Sequence, residues 1–208
     1  MAKYTGPVLK KCRALGISPM ELGIDKKSNR QVKVSRKKQS NYALQLKEKQ
    51  KVKFIYGILE KQFKMYYNKA ERMRGVTGEN MLVLIESRLD NVVYRLGLGS
   101  SRAMARQIVN HGHITVNGHV VDIPSYLVKA GDVVAVKSNK QDKVMYADIK
   151  EGNKVVLPAW LSFDNATLTG KVERLPERAD IDPSISEHLT RNNPILTIRL
   201  SFIGGIVL

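Results

Sequence analysis

The stretch from Ser100 to Val121 constrains the fold more tightly than any other, because a helical hydrophobic period gives way there to an alternating one. Ser100 or Ser101 can cap a helix, since a hydroxyl at that place accepts from a backbone N–H of the first turn. Ala103, Ala105, Ile108 and Val109 supply a buried side. Arg102 and Arg106, four residues apart, share another face, with Gln107 and Asn110 beside it. The helix is expected to run to His111, where Gly112 can take the left-handed conformation that ends it. The following His113-Ile114-Thr115-Val116-Asn117-Gly118-His119-Val120-Val121 reads as a hairpin, because Asn-Gly suits a two-residue turn with positive φ at both central positions.

Neighbouring segments extend this into a small α+β unit. Met81, Leu84, Ile85, Leu89, Val92, Val93 and Leu96 predict one helix over 79–97, stopped by Gly97. Asp122 to Tyr126 is a loop, Val128 to Asp132 a turn, and Val133 to Val136 a strand. Lys137 to Leu157 predicts a charged hairpin or loop turning at Gly152-Asn153. Trp160, Leu161 and Phe163 are expected to cover the core, base stacking by Trp160 being the alternative. After Pro176, the acids Glu177, Asp180, Asp182 and Glu187 read as a solvated patch.

Charge is unevenly spread. The formal net charge is +16, and residues 1–75 hold 20 Lys and Arg against 5 acids while the remainder holds 15 against 14. Such an excess implies a polyanionic partner, either nucleic acid or an anionic membrane. A membrane-surface helix needs its bases opposite an unbroken apolar face, which the basic third lacks. The chain has no apolar run of about 18 residues, and Met1 to Pro7 lacks the apolar stretch of a signal peptide, so a soluble cytoplasmic protein is expected. One cysteine, Cys12, and 4 histidines argue against a disulfide or a structural zinc site; no metal or cofactor is expected.

Residues 1–40 combine Gly6, Pro7, Gly16, Pro19 and Gly23 with Lys10-Lys11, Lys26-Lys27 and Arg36-Lys37-Lys38, and show no sustained period. An extended basic arm that orders on its partner is expected. Between Asn41 and Tyr67, the recurrence of Val52, Ile55, Leu59, Phe63 and Tyr66 predicts one long helix, with Lys47, Lys49, Lys51, Lys53, Lys61 and Lys64 on its other faces. Tyr56, Tyr66 and Tyr67 are read as packing residues in preference to stacking platforms.

The run Ser101 to Gly118 resembles the signature of the S-four RNA-binding domain. Arg88 to Gly97, the Asp122 to Tyr126 loop, Tyr4-Thr5-Gly6-Pro7, Pro158 to Leu161 and the segment from Pro194 to Leu208 extend the resemblance over essentially the whole chain, to the bacterial-type ribosomal protein S-four family of the small subunit. Many relatives carry a cysteine cluster for zinc in the arm. Here only Cys12 remains, and Leu9 and Lys10 are not ligands, so the resemblance is to the zinc-free variety.

That resemblance implies a structural, non-enzymatic constituent of the small ribosomal subunit. It implies binding to a multi-helix junction near the 5′ end of small-subunit ribosomal RNA and nucleation of the subunit body. It further implies a border with ribosomal protein five that bears on decoding accuracy, and a place near the channel by which messenger RNA enters. The expected fold class is α+β: a basic arm (1–40), a mainly helical domain (41–95, completed by 177–208) and an S-four-type helix-hairpin domain (96–176). The expected RNA contacts are Lys3, Tyr4, Lys10, Lys11, Arg13, Arg36, Lys37 and Lys38 of the arm, Lys53, Arg72 and Arg74 of the helical domain, and Ser101, Arg102, Arg106, Gln107, His111 and His113 of the module.

Two other functions share parts of this pattern. Pseudouridine synthases can carry the same small domain and use an Asp in an Arg-Leu-Asp setting, which Arg88-Leu89-Asp90 matches. The triplet is expected in an amphipathic helix just before the module, however, no segment outside the module is long enough for a separate catalytic domain, and Asp90 can pair with Arg88, Arg95 or a base of the arm at a helix surface. A quality-control factor for detached subunits would not need so long a basic arm.

Overall fold

The computed structural model describes residues 4–26, Arg30, 40–152 and 156–181. Lys3, Arg36, Lys37, Lys38, Asp182, Glu187 and residues 182–208 of the expected C-terminal completion of the helical domain lie outside the described residues. Two compact units divide the chain, the second spanning Leu82–Asp182 and so taking in residues 177–181 of that completion.

The first unit is helical. Within the expected arm, α1 (Val8–Leu15) buries Cys12 and Leu15 and lies against α2 (Asn41–Ile55). Val8, Cys12 and Leu15 fall at i, i+4 and i+7, one helical face too short to register as a sustained period. A 3-10 turn, Pro19–Leu22, follows. Ser40 caps α2, its hydroxyl accepting from the Ala43 N–H at 3.3 Å.

The expected long helix is broken. α2 ends at Ile55 and α3 (Glu60–Glu71) begins anew, because Gly57 turns left-handed at φ 63°. The Ile58 N–H reaches the Lys53 carbonyl at 2.9 Å and the Gly57 N–H that of Phe54 at 3.3 Å, the paired closure of a Schellman motif. Val52, Ile55 and Phe63 stay buried, but Leu59 is exposed. Lys49, expected on an outer face, is only 2% exposed because its ammonium pairs with Glu60 in the first turn of α3.

The second unit packs helices on one five-stranded antiparallel sheet, consistent with the α+β class. In chain order it comprises α4 (Thr77–Glu86, which begins in the first unit), α5 (Leu89–Arg95), α6 (Arg102–Asn110), β1 (Ile114–Val116), β2 (His119–Val120), β3 (Val133–Val136), α7 (Ala147–Lys150), β4 (Leu161–Asp164) and β5 (Thr169–Val172). The strand order is β2-β1-β3-β5-β4. Asn117 and Gly118 form the β1–β2 turn at φ 50° and 82°, as the Asn-Gly pair requires. Ile114 pairs with Val136 across β1 and β3, and Val134 with Gly170 across β3 and β5.

The single helix expected over 79–97 is two. Arg88 is extended, with φ −71° and ψ 141°, and the first turn of α5 finds acceptors elsewhere. The Leu89 N–H donates to the Tyr126 carbonyl at 2.8 Å and the Asp90 N–H to that of Pro124 at 3.1 Å. Tertiary acceptors thus replace the turn that would have continued α4. Leu89, Val92, Val93 and Leu96 of α5 then join the core with Ile108 and Val109 of α6, so α5 belongs with the module and not with the helical segment before residue 96. Ala103, expected on the buried side of α6, is exposed.

Residues 137–152 form no hairpin. They wind through 3-10 turns, Ser138–Lys140 and Val144–Tyr146, into α7, and Tyr146 drops into the core. Strands β4 and β5 complete the sheet and bring Leu161, Leu168 and Val172 to the same core. The acidic patch is not merely solvated: Asp180 receives both guanidinium nitrogens of Arg174, at 2.7 and 3.0 Å, and forms a reciprocal capping box with Glu177.

Candidate nucleic-acid interface

Ser101 starts the helix that carries the module's cations. Its side chain accepts from the Met104 N–H at 3.3 Å, a cap that fixes where α6 begins and therefore where Arg102 stands. The Arg102 Nε donates to Asn91 Oδ1 at 3.0 Å, and its guanidinium carbon lies 4.4 Å from the centroid of the Tyr94 ring. Asn91 is itself held, its Nδ2 donating to the Glu86 carbonyl at 2.9 Å. The Glu86 carboxylate in turn receives Arg95 Nε at 2.6 Å.

One guanidinium is thus stacked and oriented by groups of α5 before any ligand arrives. Arg106 is half-buried one turn along, while Gln107 and Asn110 are exposed and His111 is exposed at the C-terminal cap. A planar fork of donors with adjacent amides can hold a phosphate and meet ribose or base edges.

His113 does not join this surface. It is 6% exposed, its Nδ1 lies 3.0 Å from the Tyr146 hydroxyl, and its Nε2 lies 3.3 Å from the Lys143 ammonium. An ammonium can only donate, so Nε2 accepts and the ring proton sits on Nδ1, facing Tyr146. Burial, then the charges of Lys143, Lys140 and His111, hold the imidazole below its usual value and neutral. Burial also pushes the Tyr146 phenol up to about 12. The expected RNA contact by His113 is corrected on this ground: the ring is buried, with Nδ1 on the core phenol of Tyr146 and Nε2 taken by the ammonium of the exposed Lys143.

Trp160 is likewise fully buried, which removes the stacking alternative. Asp90 and Arg88 form a bidentate pair, Nε to Oδ1 at 3.0 Å and Nη2 to Oδ2 at 2.6 Å, with side chains 7% and 3% exposed. The pairing with Arg88 is as expected but its location is not, since it lies inside the fold. Both carboxylate oxygens are thereby engaged, unlike a nucleophile open to a flipped base.

In the first unit, Tyr4 is exposed and meets Phe54 edge-on at 5.6 Å, with the Lys11 ammonium 5.6 Å from the Tyr4 ring centroid. Lys10 is exposed, as are Arg72, at the C-terminal cap of α3, and Arg74. Arg13 is half-buried, its Nε donating to the Leu9 carbonyl at 3.4 Å. Lys53 is spent differently: its ammonium binds Glu60 at 2.6 Å. Burial alone would raise the Glu60 carboxyl, but hydrogen bonds from Lys49 and Lys53 outweigh it and hold Glu60 below the ordinary carboxylate value. Cys12 is buried, and burial pushes its thiol up.

Among the described residues no group of three or more His, Cys, Asp or Glu is placed to hold a metal ion, and no helix is long and apolar enough to cross a membrane. The lysines at 137, 140 and 143 fall in the segment expected as a charged hairpin or loop, and their regular spacing of three is the one signal the sequence carries for them.

The Ribosomal protein S4/S9 N-terminal domain family matches residues 3–86, and the S4 domain family matches residues 87–134. The small ribosomal subunit protein uS4 of Lachnospira eligens is 51% identical over 190 residues, covering 91% of this chain and 96% of its own. That of Agathobacter rectalis is 52% identical over 191 residues with the same coverage, and that of Fusobacterium nucleatum is 49% identical over 191 residues.

Proposed function

This chain belongs to the uS4 family of small ribosomal subunit proteins, and on that premise we propose that it seats on a multi-helix junction near the 5′ end of small-subunit ribosomal RNA and nucleates the subunit body. The family is one of structural constituents of the small subunit in the cytoplasm, not of enzymes. The observation that carries the reading is Arg102, oriented by Asn91 and Tyr94 on a module with almost no net charge to attract RNA indiscriminately. Ser101, Arg106 and Gln107 extend that surface along α6, and His111 contacts RNA from its far, C-terminal end. Lys10, Lys11, Arg13, Arg72 and Arg74 neutralise backbone phosphates, as do Lys3, Arg36, Lys37 and Lys38 of the arm, and Tyr4 contacts the RNA beside them.

The test is binding to a transcript of the 5′ region of small-subunit ribosomal RNA. Log affinity should fall linearly with log salt, by about 0.7 to 0.9 per phosphate neutralised. The double variant R102A/R106A should bind more weakly while staying folded, with a somewhat lower thermal transition because the buried Asn91 Oδ1 loses its donor; unchanged affinity would remove α6 from the interface. The same reading places the protein beside ribosomal protein five and near the channel by which messenger RNA enters, where it bears on decoding accuracy. Crosslinking within assembled subunits, with both partners mapped, checks this; crosslinks solely to other neighbours would refute it.

A further inference from the structure

The segment after β3 is a run of linked turns. The Lys140 N–H donates to the Lys137 carbonyl at 2.8 Å, that of Lys143 to Lys140 at 3.3 Å, and that of Tyr146 to Lys143 at 2.9 Å. The two 3-10 turns, Ser138–Lys140 and Val144–Tyr146, are separate, and Lys143 between them is extended, with φ −69° and ψ 139°. Tyr146 anchors the run in the core, and the Lys137 N–H ties its start to the His113 carbonyl at 2.8 Å. Lys143 is thereby brought to the His113 ring, and Lys140 close enough for its charge to act on that ring. The exposed His111 ring stands 6.4 Å from that of His113.

Cations therefore converge where little answers them. Among the described residues no carboxylate pairs with Lys137, Lys140 or Lys143; the neighbouring Asp142 leans instead toward Lys150, 3.7 Å away. The imidazole at their centre is neutral and offers one acceptor, Nε2, which a single lysine can take. A cluster of donors with no acceptor facing solvent suits an oxyanion. Because α6 runs between Arg102 and Asn110, about 12 Å at 1.5 Å per residue, this cluster is separated from the Arg102 end.

We infer that Lys140 and Lys143, with His111, form a second RNA-binding position that takes a backbone phosphodiester, and that the buried His113 is a positioning residue that aims the Lys143 ammonium. The inference rests on the reading of this chain as a ribosomal RNA binder and adds to it a site at the opposite end of α6. Lysine acts here as a point charge that follows the phosphate, complementing the rigid fork of Arg102.

The experiment uses the full chain and the 5′-region transcript, titrated at several salt concentrations with K140Q, K143Q and their combination, beside R102A/R106A. Each lysine change should lower the salt slope by about 0.7 to 0.9 and the affinity several-fold, without moving the thermal transition. A wild-type slope and affinity for K140Q/K143Q, alongside a weakened R102A/R106A, overturns the second position and leaves the α6 reading standing. A flat salt plot for the unaltered protein overturns both. Loss of subunit incorporation by K140Q/K143Q with unchanged RNA affinity would assign the cluster to an acidic protein neighbour and overturn the RNA assignment. For His113, the affinity loss of H113Q should vanish when K143Q is already present, since there is then no ammonium to aim; additive losses would remove His113 from the role. The lysine variants lie at the surface and decide the site even if H113Q folds poorly.

Discussion

Arg102 of α6 and Asn91 of α5 are joined by a 3.0 Å hydrogen bond from Nε to Oδ1, while the other end of the Asn91 amide is committed to the Glu86 carbonyl at 2.9 Å. Asn91 is 2% exposed, so it serves as an internal strut that sets the angle of a half-buried guanidinium. Fixing such a side chain beforehand removes ordering entropy that binding would otherwise have to offset, about 0.5–1.5 kcal/mol for an immobilised rotamer-rich group.

Replacing Asn91 by Ala should therefore weaken RNA binding several-fold, though Asn91 itself is buried. It also strands the Glu86 carbonyl, so stability should fall by about 1–3 kcal/mol. Urea unfolding and RNA titration of N91A, compared with R102A, check both effects. An N91A protein with wild-type affinity would show that Arg102 orients itself on Tyr94 alone.

Gly99→Ala should destabilise the module at the start of α6. A Cβ at this position would stand 2.8 Å from the Ala105 backbone nitrogen, and backbone cannot move aside as a flexible side chain can. Overpacking of this kind costs about 1–3 kcal/mol. The check is a lower denaturant midpoint with an unchanged m-value.

Asp90→Ala should be more damaging. Its partner Arg88 is 3% exposed, and removing one member of a buried pair costs about 3–5 kcal/mol. A thermal transition within a degree or two of the parent would refute this.

Acid should weaken the fold in two stages. His113 has a folded value below its ordinary 6.5, so its contribution is complete above that pH and is lost as pH falls through the folded value, where the unfolded chain binds the proton first. Glu60 also has a lowered folded value, so its contribution is complete above about 4.3 and lost on further acidification. Denaturant midpoints at pH 7.5, 5.5 and 4 should decline stepwise. H113Q should flatten the first step and E60Q the second, with the Glu60 step small because that carboxylate is half-exposed.

Signals contained within a few residues were legible from the sequence. The Asn117-Gly118 turn, the Ser101 cap and the Gly112 stop each depend on neighbours in the chain, and each stands where its residue types place it. The break at Gly57 was hidden because Val52, Ile55 and Phe63 keep helical spacing straight through it and the packing face carries on in α3. The break at Arg88 depends on carbonyls of Pro124 and Tyr126 more than thirty residues along the chain, which no local pattern reveals. Strands β4 and β5 alternate apolar residues with Ser162, Asp164 and Lys171 over only 4 residues each, too briefly to show a period. His113 misled for the same reason as Arg88: its partner Tyr146 lies 33 residues away.

The strand order β2-β1-β3-β5-β4 sets a limit on how the module can be cut out and transplanted. The family motif that marks it ends at residue 134, inside β3, whereas β5 pairs along the other edge of that strand and Trp160, Leu168 and Val172 close the core beneath it. A graft trimmed at the motif's border would carry half a central strand with an unpaired edge, an invitation to intermolecular pairing. The smallest portable piece must therefore include the second hairpin, so inheritance of this RNA-binding unit as an independent part depends on about forty residues that the motif does not contain.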